Sequence, residues 1–333
     1  MKEVYPGIFV IEEKGVLRSL KPPVNIYVIT GPDGLIYDSG YGSRSSIKHF
    51  SRELAKINKL CLERNEKNNI SGILLSHAHA DHYSGLKPLR GRYGFKIILT
   101  ERMAGIIKSR AAYAESFRID KPETASSIIY GLKNFIKNIK RFIEIWIYIR
   151  YWGVTFVSDP DEIIEDNSEI IINSESWEIF PSPGHSDDHI SLYNREKGIL
   201  LSGDNVLRSV NVWLGPPKSD LDAYEKTISD FMALKNIQII LPAHGKPVTD
   251  PYDRLDEILR WRRKRTADVR AIVKDMGGRD FTIDEILASL YPSQGKMKRE
   301  FARGWVELTI AKLIQEGLIK RGEGPEFFYE GRD

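Results

Sequence analysis

Short runs of mostly apolar residues recur in the first 100 residues of the chain and again after residue 165. Their length, their β-branched residues and the turn-forming residues between them are typical of strands. The segment 31–34, Gly-Pro-Asp-Gly, lies between two such runs and predicts a hairpin. The predicted strands are 8–12, 24–30, 35–38, 70–75, 96–99, 169–172, 177–180, 189–193, 198–201 and 237–241.

Helical spacing of apolar residues, with charges between them, predicts a helix over 45–65. The segment 101–149 is rich in helix-forming residues, and we interpret it as part of a helical insertion at about 101–160. Strands followed by helices and then by more strands predict two packed sheets with helices outside them.

The last 80 residues have a different pattern. A charged helix is predicted over 253–274, and Thr282 with Glu285 forms a capping box at the start of the next helix. A further helix over 296–315 ends at Gly317, and the runs 318–320 and 327–329 can pair as a hairpin. Helices followed by such a hairpin predict a winged helix. We therefore predict two domains, 1–252 and 253–333, the second comprising a helical linker and the winged helix.

Composition narrows the class of protein. Apolar residues make up 41% of the 333 residues and charged residues 29%, which is typical of a globular protein. The single cysteine, Cys61, cannot form an intramolecular disulfide, and no export signal is visible in the first 15 residues. The most apolar window, 142–153, is too short to span a bilayer and contains Glu144 and Arg150. These features predict a cytoplasmic protein without a membrane span; homodimerisation is left open.

Candidate chemistry begins where the predicted strand 70–75 ends. The segment 76–82, Ser-His-Ala-His-Ala-Asp-His, places three imidazoles and a carboxylate in one turn, a density that packing does not explain. Three more candidates follow apolar strands beside glycine or proline: His185, Asp204 and His244. Imidazole and carboxylate groups suit Zn²⁺, Mn²⁺ or Fe²⁺. The candidate metal ligands are thus His77, His79, Asp81, His82, His185, Asp204 and His244.

This arrangement, HxHxDH followed by a distant His, an Asp and a His, resembles the metallo-β-lactamase superfamily over roughly residues 1–250. The resemblance implies an α+β fold, a four-layer αββα sandwich, to which the winged helix is appended. It also implies two divalent metal ions, with zinc favoured. One ion would be bound by His77, His79 and His185, and the other by Asp81, His82 and His244, with Asp204 bridging them. Asp38 matches an early aspartate of the family and is expected to support a ligand.

A pair of ions about 3.5–4 Å apart lowers the pKa of a shared water, which then attacks a carbonyl or phosphoryl centre. Asp81 is the candidate catalytic residue, because its carboxylate can orient this water or accept its proton. The resemblance therefore predicts a metal-dependent hydrolase. The carboxyl-terminal half, with PGHSDDHISLY at 183–193, also resembles the β-lactamase-like protein 2 branch, which implies cleavage of single-stranded RNA.

Several substrates and functions remain open. A small acyl substrate, that is a thioester, ester or lactone, fits the glyoxalase II-like relatives, and an apolar lid formed by 135–152 would suit it; the alternative is that this stretch is a helix packed on the core or on a second subunit. An iron-dependent sulfur dioxygenase has a similar HxHADH motif, although the winged helix disfavours it. A transcription regulator with a vestigial metal site is disfavoured by the complete ligand set.

Two basic clusters favour a nucleic-acid partner, or else form solvated helix faces with acidic neighbours. The first is the run 260–265, Arg-Trp-Arg-Arg-Lys-Arg, and the second comprises Lys296, Lys298, Arg299 and Arg303.

Overall fold

The computed structural model describes residues 1–13, 21–118, 151–277, 279–322 and 327–329. Its first sheet has seven strands in the order of the chain. The first four are antiparallel neighbours and the last four are parallel neighbours, so the sheet is mixed. The strands are β1 (Lys2–Tyr5), β2 (Ile8–Glu13), β3 (Val24–Ile29), β4 (Gly34–Tyr37), β5 (Ile70–Leu74), β6 (Lys96–Thr100) and β7 (Glu162–Ile164).

The second sheet has five strands in the order β12-β11-β10-β9-β8. All neighbours are antiparallel except β11 and β12, which are parallel. The strands are β8 (Glu169–Ile172), β9 (Glu175–Pro181), β10 (Ile190–Asn194), β11 (Ile199–Gly203) and β12 (Ile239–Pro242).

Nine helices lie in the described part of the chain. Five precede the second sheet, one lies between its strands, and three follow it. They are α1 (Arg44–Glu63), α2 (Ala80–Tyr83), α3 (Leu86–Tyr93), α4 (Glu101–Ile107), α5 (Arg110–Ser116), α6 (Leu221–Ala233), α7 (Pro251–Asp275), α8 (Ile283–Leu290) and α9 (Lys296–Gln315).

Alternation along the strands explains how the layers pack. Leu201 and Leu241 belong to a core that also contains buried residues of the first sheet, whereas Leu200 and Ile240 belong to a second core. Because successive strand residues point to opposite faces, the second sheet is covered on both sides. The first core joins the two sheets, and the second joins the outer face of the second sheet to α6, α7 and the C-terminal helices. This is the predicted sandwich of two sheets with helices outside.

Most predicted elements are present. The hairpin at 31–34 is confirmed, with Ile29 paired to Leu35 across β3 and β4. The strands β1 and β7 were not predicted, and both lie at the edges of the first sheet. The predicted insertion contains α4 and α5, while 119–150, including most of the predicted lid, lies outside the described residues.

The C-terminal elements also follow the sequence pattern. The capping box of Thr282 and Glu285 is formed in full at the start of α8. Two short strands, β13 (Ile319–Arg321) and β14 (Phe327–Tyr329), pair as an antiparallel hairpin after α9. The winged-helix assignment and the boundary at 252 stay predictions. Among the described helices, none is both long and apolar enough to cross a membrane.

Candidate metal centre

The seven predicted ligands come from four loops that follow strands. β5 delivers the turn with His77 and His79, and the short helix α2 carries Asp81 and His82. His185 lies in the loop after β9, Asp204 directly after β11, and His244 two residues after β12. Hence segments far apart in the chain meet at one edge of the sandwich.

Three histidine nitrogens converge in the first donor set. The Nδ1 atom of His79 lies 2.9 Å from Nε2 of His77 and 2.9 Å from Nε2 of His185. The outer nitrogen of His185, Nδ1, donates to the carbonyl oxygen of Trp213 at 2.9 Å. The other ring nitrogen of His185, Nε2, therefore carries a lone pair, which faces the rings of His77 and His79. Asp204 Oδ2 lies 3.4 Å from this nitrogen.

The second donor set lies on the other side of Asp204. Its Oδ1 atom lies 3.6 Å from Nε2 of His82 and 3.2 Å from Nε2 of His244. Asp81 completes this set, with its two oxygens 3.8 Å from His82 Nε2 and 3.6 Å from His244 Nε2. The two oxygens of Asp204 thus face different donor sets.

Electrostatics differ between the two sets. Burial, helped by neighbouring imidazoles, lowers the pKa of His77 and His79 well below the usual value, so both rings are neutral, as metal ligands must be. Burial also acts to lower the pKa of His244, but Asp204 and Asp81 outweigh it and raise that pKa to about 9. Burial also acts to lower the pKa of His82. The carboxylates of Asp38, Asp81 and Asp204 outweigh it and raise that pKa well above its usual value.

Asp38 supports His82, as the sequence predicted. It is fully buried, and its Oδ2 accepts from His82 Nδ1 at 2.9 Å and from the Ser76 hydroxyl at 3.0 Å, while its Oδ1 accepts from the Ser76 backbone N–H at 2.8 Å. These bonds fix the ring of His82 with Nε2 turned toward Asp81 and Asp204.

Two further buried residues hold the loops, and the sequence analysis did not assign them this role. Asp188 Oδ2 accepts from the backbone N–H of Ala78 at 2.7 Å, and burial raises the pKa of Asp188. His189 Nε2 accepts from the backbone N–H of Asp204 at 3.1 Å, and burial with the nearby His185 lowers its pKa to about 3. Both follow His185 in the SDDH sequence at 186–189, which was the available signal.

The donor set fits a metal ion. His82 Nε2 and Asp204 Oδ1 are buried and have no hydrogen-bond partner among the described residues, an arrangement that is unfavourable unless something else binds them. Among the residues that the structure describes, three overlapping groups have ligand atoms within 4.8 Å of one another. They are His77, His79 and His185; His77, His82 and Asp204; and Asp81, His82 and His244.

Aromatic side chains lie beside the first donor set. The ring of Phe117 lies 5.6 Å from that of His79, and Tyr113 lies 4.7 Å from Phe117, both distances between ring centroids. Trp213 is 49% exposed at the same end of the molecule, where its carbonyl holds His185. An apolar wall therefore borders the imidazoles on the side of α5.

A model of the metallo-β-lactamase superfamily matches residues 21–273. The chain belongs to this superfamily. It is similar to a β-lactamase-like protein 2 homolog from Caenorhabditis elegans, at 26% identity over 164 residues, which is 49% of this chain and 52% of that protein. It is also similar to the probable metallo-hydrolase YqjP of Bacillus subtilis, at 22% identity over 294 residues and 81% of each chain. The first match spans only about half of that relative.

Solved structures agree on the fold. A metallo-β-lactamase family protein from Thermus thermophilus superposes with a TM-score of 0.71 at 20% identity, covering 98% of this chain and 100% of that one. A β-lactamase domain protein from Burkholderia ambifaria gives 0.72 at 18% identity, covering 98% and 93%. Family, fold and donor set together make this chain a metal-dependent hydrolase of the superfamily.

Proposed function

We propose that the chain binds two divalent metal ions, zinc in preference to manganese or iron, and uses them to hydrolyse a carbonyl or phosphoryl substrate. The observation that carries the proposal is the position of Asp204, whose two carboxylate oxygens face different sets of donors. His77, His79 and His185 would bind one ion. Asp81, His82 and His244 would bind the other, and Asp204 would bridge the pair.

The bound ions would supply Lewis acidity, which lowers the pKa of water and stabilises negative charge on the attacked group. The protein's own contribution is orientation. Trp213 and Asp38 fix the rings of His185 and His82 through their outer nitrogens. The Asp81 side chain is 16% exposed, so water can reach its carboxylate, which would orient the attacking water and accept its proton.

The aromatic wall supports a small acyl substrate, a thioester, ester or lactone. Phe117 and Tyr113 are half-buried beside His79, so they offer an apolar surface for the acyl group next to the donor sets. Single-stranded RNA is the second candidate, because Arg44, Lys48, Arg52 and Arg92 line one cavity and have no described acidic partner.

We also propose that 253–333 form a helical linker and a winged helix. The order α8, α9, β13 and β14 supports this assignment.

Metal content and a parallel assay test the proposal. We expect two ions per chain by elemental analysis, hydrolysis of at least one acyl or RNA substrate, and loss of at least 100-fold in kcat/KM in Asp81→Ala. Asp166→Ala, at an exposed aspartate in the turn before β8, is the matched control and should retain full activity. One iron per chain with oxygen consumption would overturn the proposal in favour of a dioxygenase.

A further inference from the structure

Acidic side chains neutralise much of the basic cluster on α7, and Arg303 of the cluster on α9. On α7, Arg260 lies 2.8 Å from Asp256, Arg263 lies 3.6 Å from Glu225, and Lys264 lies 3.1 Å from Asp268. Each acid offsets the charge of its partner, so this helix face has little net attraction for phosphates.

On α9 the arginines are also engaged. Arg303 pairs with Asp284 and with Glu300, and Arg299 donates to the carbonyl oxygen of Tyr291 at 3.0 Å. Arg303 therefore has acidic neighbours, as the α7 cations do, whereas the described partner of Arg299 is a neutral carbonyl group.

Positive charge without a described acidic partner lines a cavity of about 830 Å³ between α1 and α3. Among its described lining residues, four are exposed cations and none is acidic. We call it the α1–α3 groove. Its described lining residues are Gly42, Arg44, Ile47, Lys48, Ser51, Arg52, Ala55, Pro88 and Arg92.

The cations are arranged in a row. Arg44, Lys48 and Arg52 follow one another at intervals of four residues, so they lie on one face of α1 and span about 12 Å along its axis. Arg92 stands on α3. Half-buried Ile47 and Pro88 give the groove an apolar floor.

Elsewhere on α1 the lysines have acidic partners. Lys56 lies 2.7 Å from Glu53, and Lys59 lies 3.6 Å from Glu63. By contrast, no described carboxylate forms a salt bridge with the four groove cations, and the described neighbour of Arg52 is the ring of His49 at 3.5 Å. Like charges four residues apart on a helix repel one another. Such a row is therefore unfavourable unless an anion binds it.

One end of the groove lies close in sequence to the metal centre. Gly42 follows Asp38 by four residues, and a side chain at Gly42 would collide with the carbonyl oxygen of Ser84, which follows His82 by two residues. The two helices that line the groove thus begin shortly after Asp38 and His82 in the chain.

We propose that the α1–α3 groove binds the phosphate backbone of a single-stranded nucleic acid. A row of cations about 12 Å long matches several successive phosphates rather than one, and the apolar floor offers a surface for sugars and bases. A concave groove also suits an extended chain better than a flat membrane surface. This inference concerns binding, so it supports the RNA candidate but does not depend on the proposed reaction.

Salt-dependent binding of a fluorescent 2′-O-methyl RNA 12-mer to the full chain tests the inference. The triple variant Arg44→Gln/Lys48→Gln/Arg52→Gln should bind at least 10-fold more weakly at 50 mM salt, and its log–log salt slope should fall by about 2. The matched control, Arg260→Gln/Arg263→Gln/Lys264→Gln, removes the same charge from α7 and should bind like the unaltered chain.

Three outcomes would overturn the inference. The first is unchanged RNA binding by the groove variant, and the second is equal weakening of RNA binding by the α7 control. The third is a groove variant that loses binding to phosphatidylserine vesicles but keeps its binding to RNA. Unchanged metal content and thermal midpoint would show that the groove variant is folded. Asp81→Ala should bind the oligonucleotide normally, so failure of the proposed reaction and failure of the groove are separate results.

Discussion

At the scale of single residues, Asp38 shows how strain is maintained next to the metal centre. Its backbone adopts φ of 67°, a left-handed conformation that non-glycine residues rarely occupy. The conformation persists because the carboxylate is held by Ser76 and His82. Strain of this kind is typical of functional sites, where surrounding contacts over-determine one geometry.

Replacing Asp38 by Asn should weaken metal binding. The amide keeps the size of the side chain but removes the negative charge opposite His82 Nδ1, so the ring is less basic and less firmly oriented. We expect a 10- to 100-fold loss of affinity for the ion that His82 would bind, measured by competition with a chelator.

Asp166→Asn makes the same chemical change at an exposed position and should leave the affinity unaltered. Equal affinities in Asp38→Asn and the unaltered chain would show that Asp38 serves only the fold.

The candidate ligands could be predicted because the signal is local. His77, His79, Asp81 and His82 lie within six residues, and each remaining ligand follows an apolar strand. The supporting role of Asp188 could not be predicted in the same way, since its partner, the backbone of Ala78, is 110 residues away. The place of Asp188 in the SDDH sequence beside His185 indicates only that it lies near the site, and does not indicate which backbone group it binds.

At the scale of elements, α9 packs closely on the loop that orients His185. A side chain at Gly304 would lie 2.6 Å from the carbonyl oxygen of Leu214, the residue after Trp213. Since the Trp213 carbonyl accepts from His185, the packing of α9 extends to the metal centre.

Gly304→Ala should therefore displace this loop. We expect the free energy of unfolding to fall by about 1–3 kcal/mol, measured by urea denaturation. We also expect weaker metal binding, measured by chelator competition. Gly105→Ala on α4 is the matched control, because nothing lies within 4 Å of the added carbon. There the better helix propensity of alanine should be neutral or stabilising by about 0.5–1 kcal/mol. Similar losses in both variants would contradict the proposed coupling.

The strands that the sequence did not predict lie at sheet edges. β1 has one neighbouring strand and the sequence Lys-Glu-Val-Tyr, and β7 has only three residues, Glu-Ile-Ile. Edge strands need less apolar sequence than central ones, because one side faces solvent. The central strands β3 to β6 were visible as apolar runs for the opposite reason.

At the scale of the whole molecule, the second core crosses the predicted domain boundary at 252. It joins Leu200 and Ile240 of the second sheet to Trp305 and Ile310 of α9. Arg262 of α7 is only 2% exposed and lies 5.9 Å from the rings of both Tyr224 and Trp305. The sequence showed a change of pattern near 252 but not this shared core, since contacts between distant helices have no local signature.

A shared core predicts that the described parts of the chain unfold together. Ile310 is 2% exposed on α9, and Ile310→Ala should lower the free energy of unfolding by about 2–5 kcal/mol. Because the core is continuous, we expect one transition, with far-UV circular dichroism, tryptophan fluorescence and metal release shifting by the same amount. Leu62→Ala, at a leucine that is 79% exposed on α1, removes a similar side chain from the surface and should change the midpoint little. If Ile310→Ala instead produced an early transition of its own, with metal release unchanged, the C-terminal helices would be an independent folding unit, and the effect expected for Gly304→Ala on the metal centre would lose its basis.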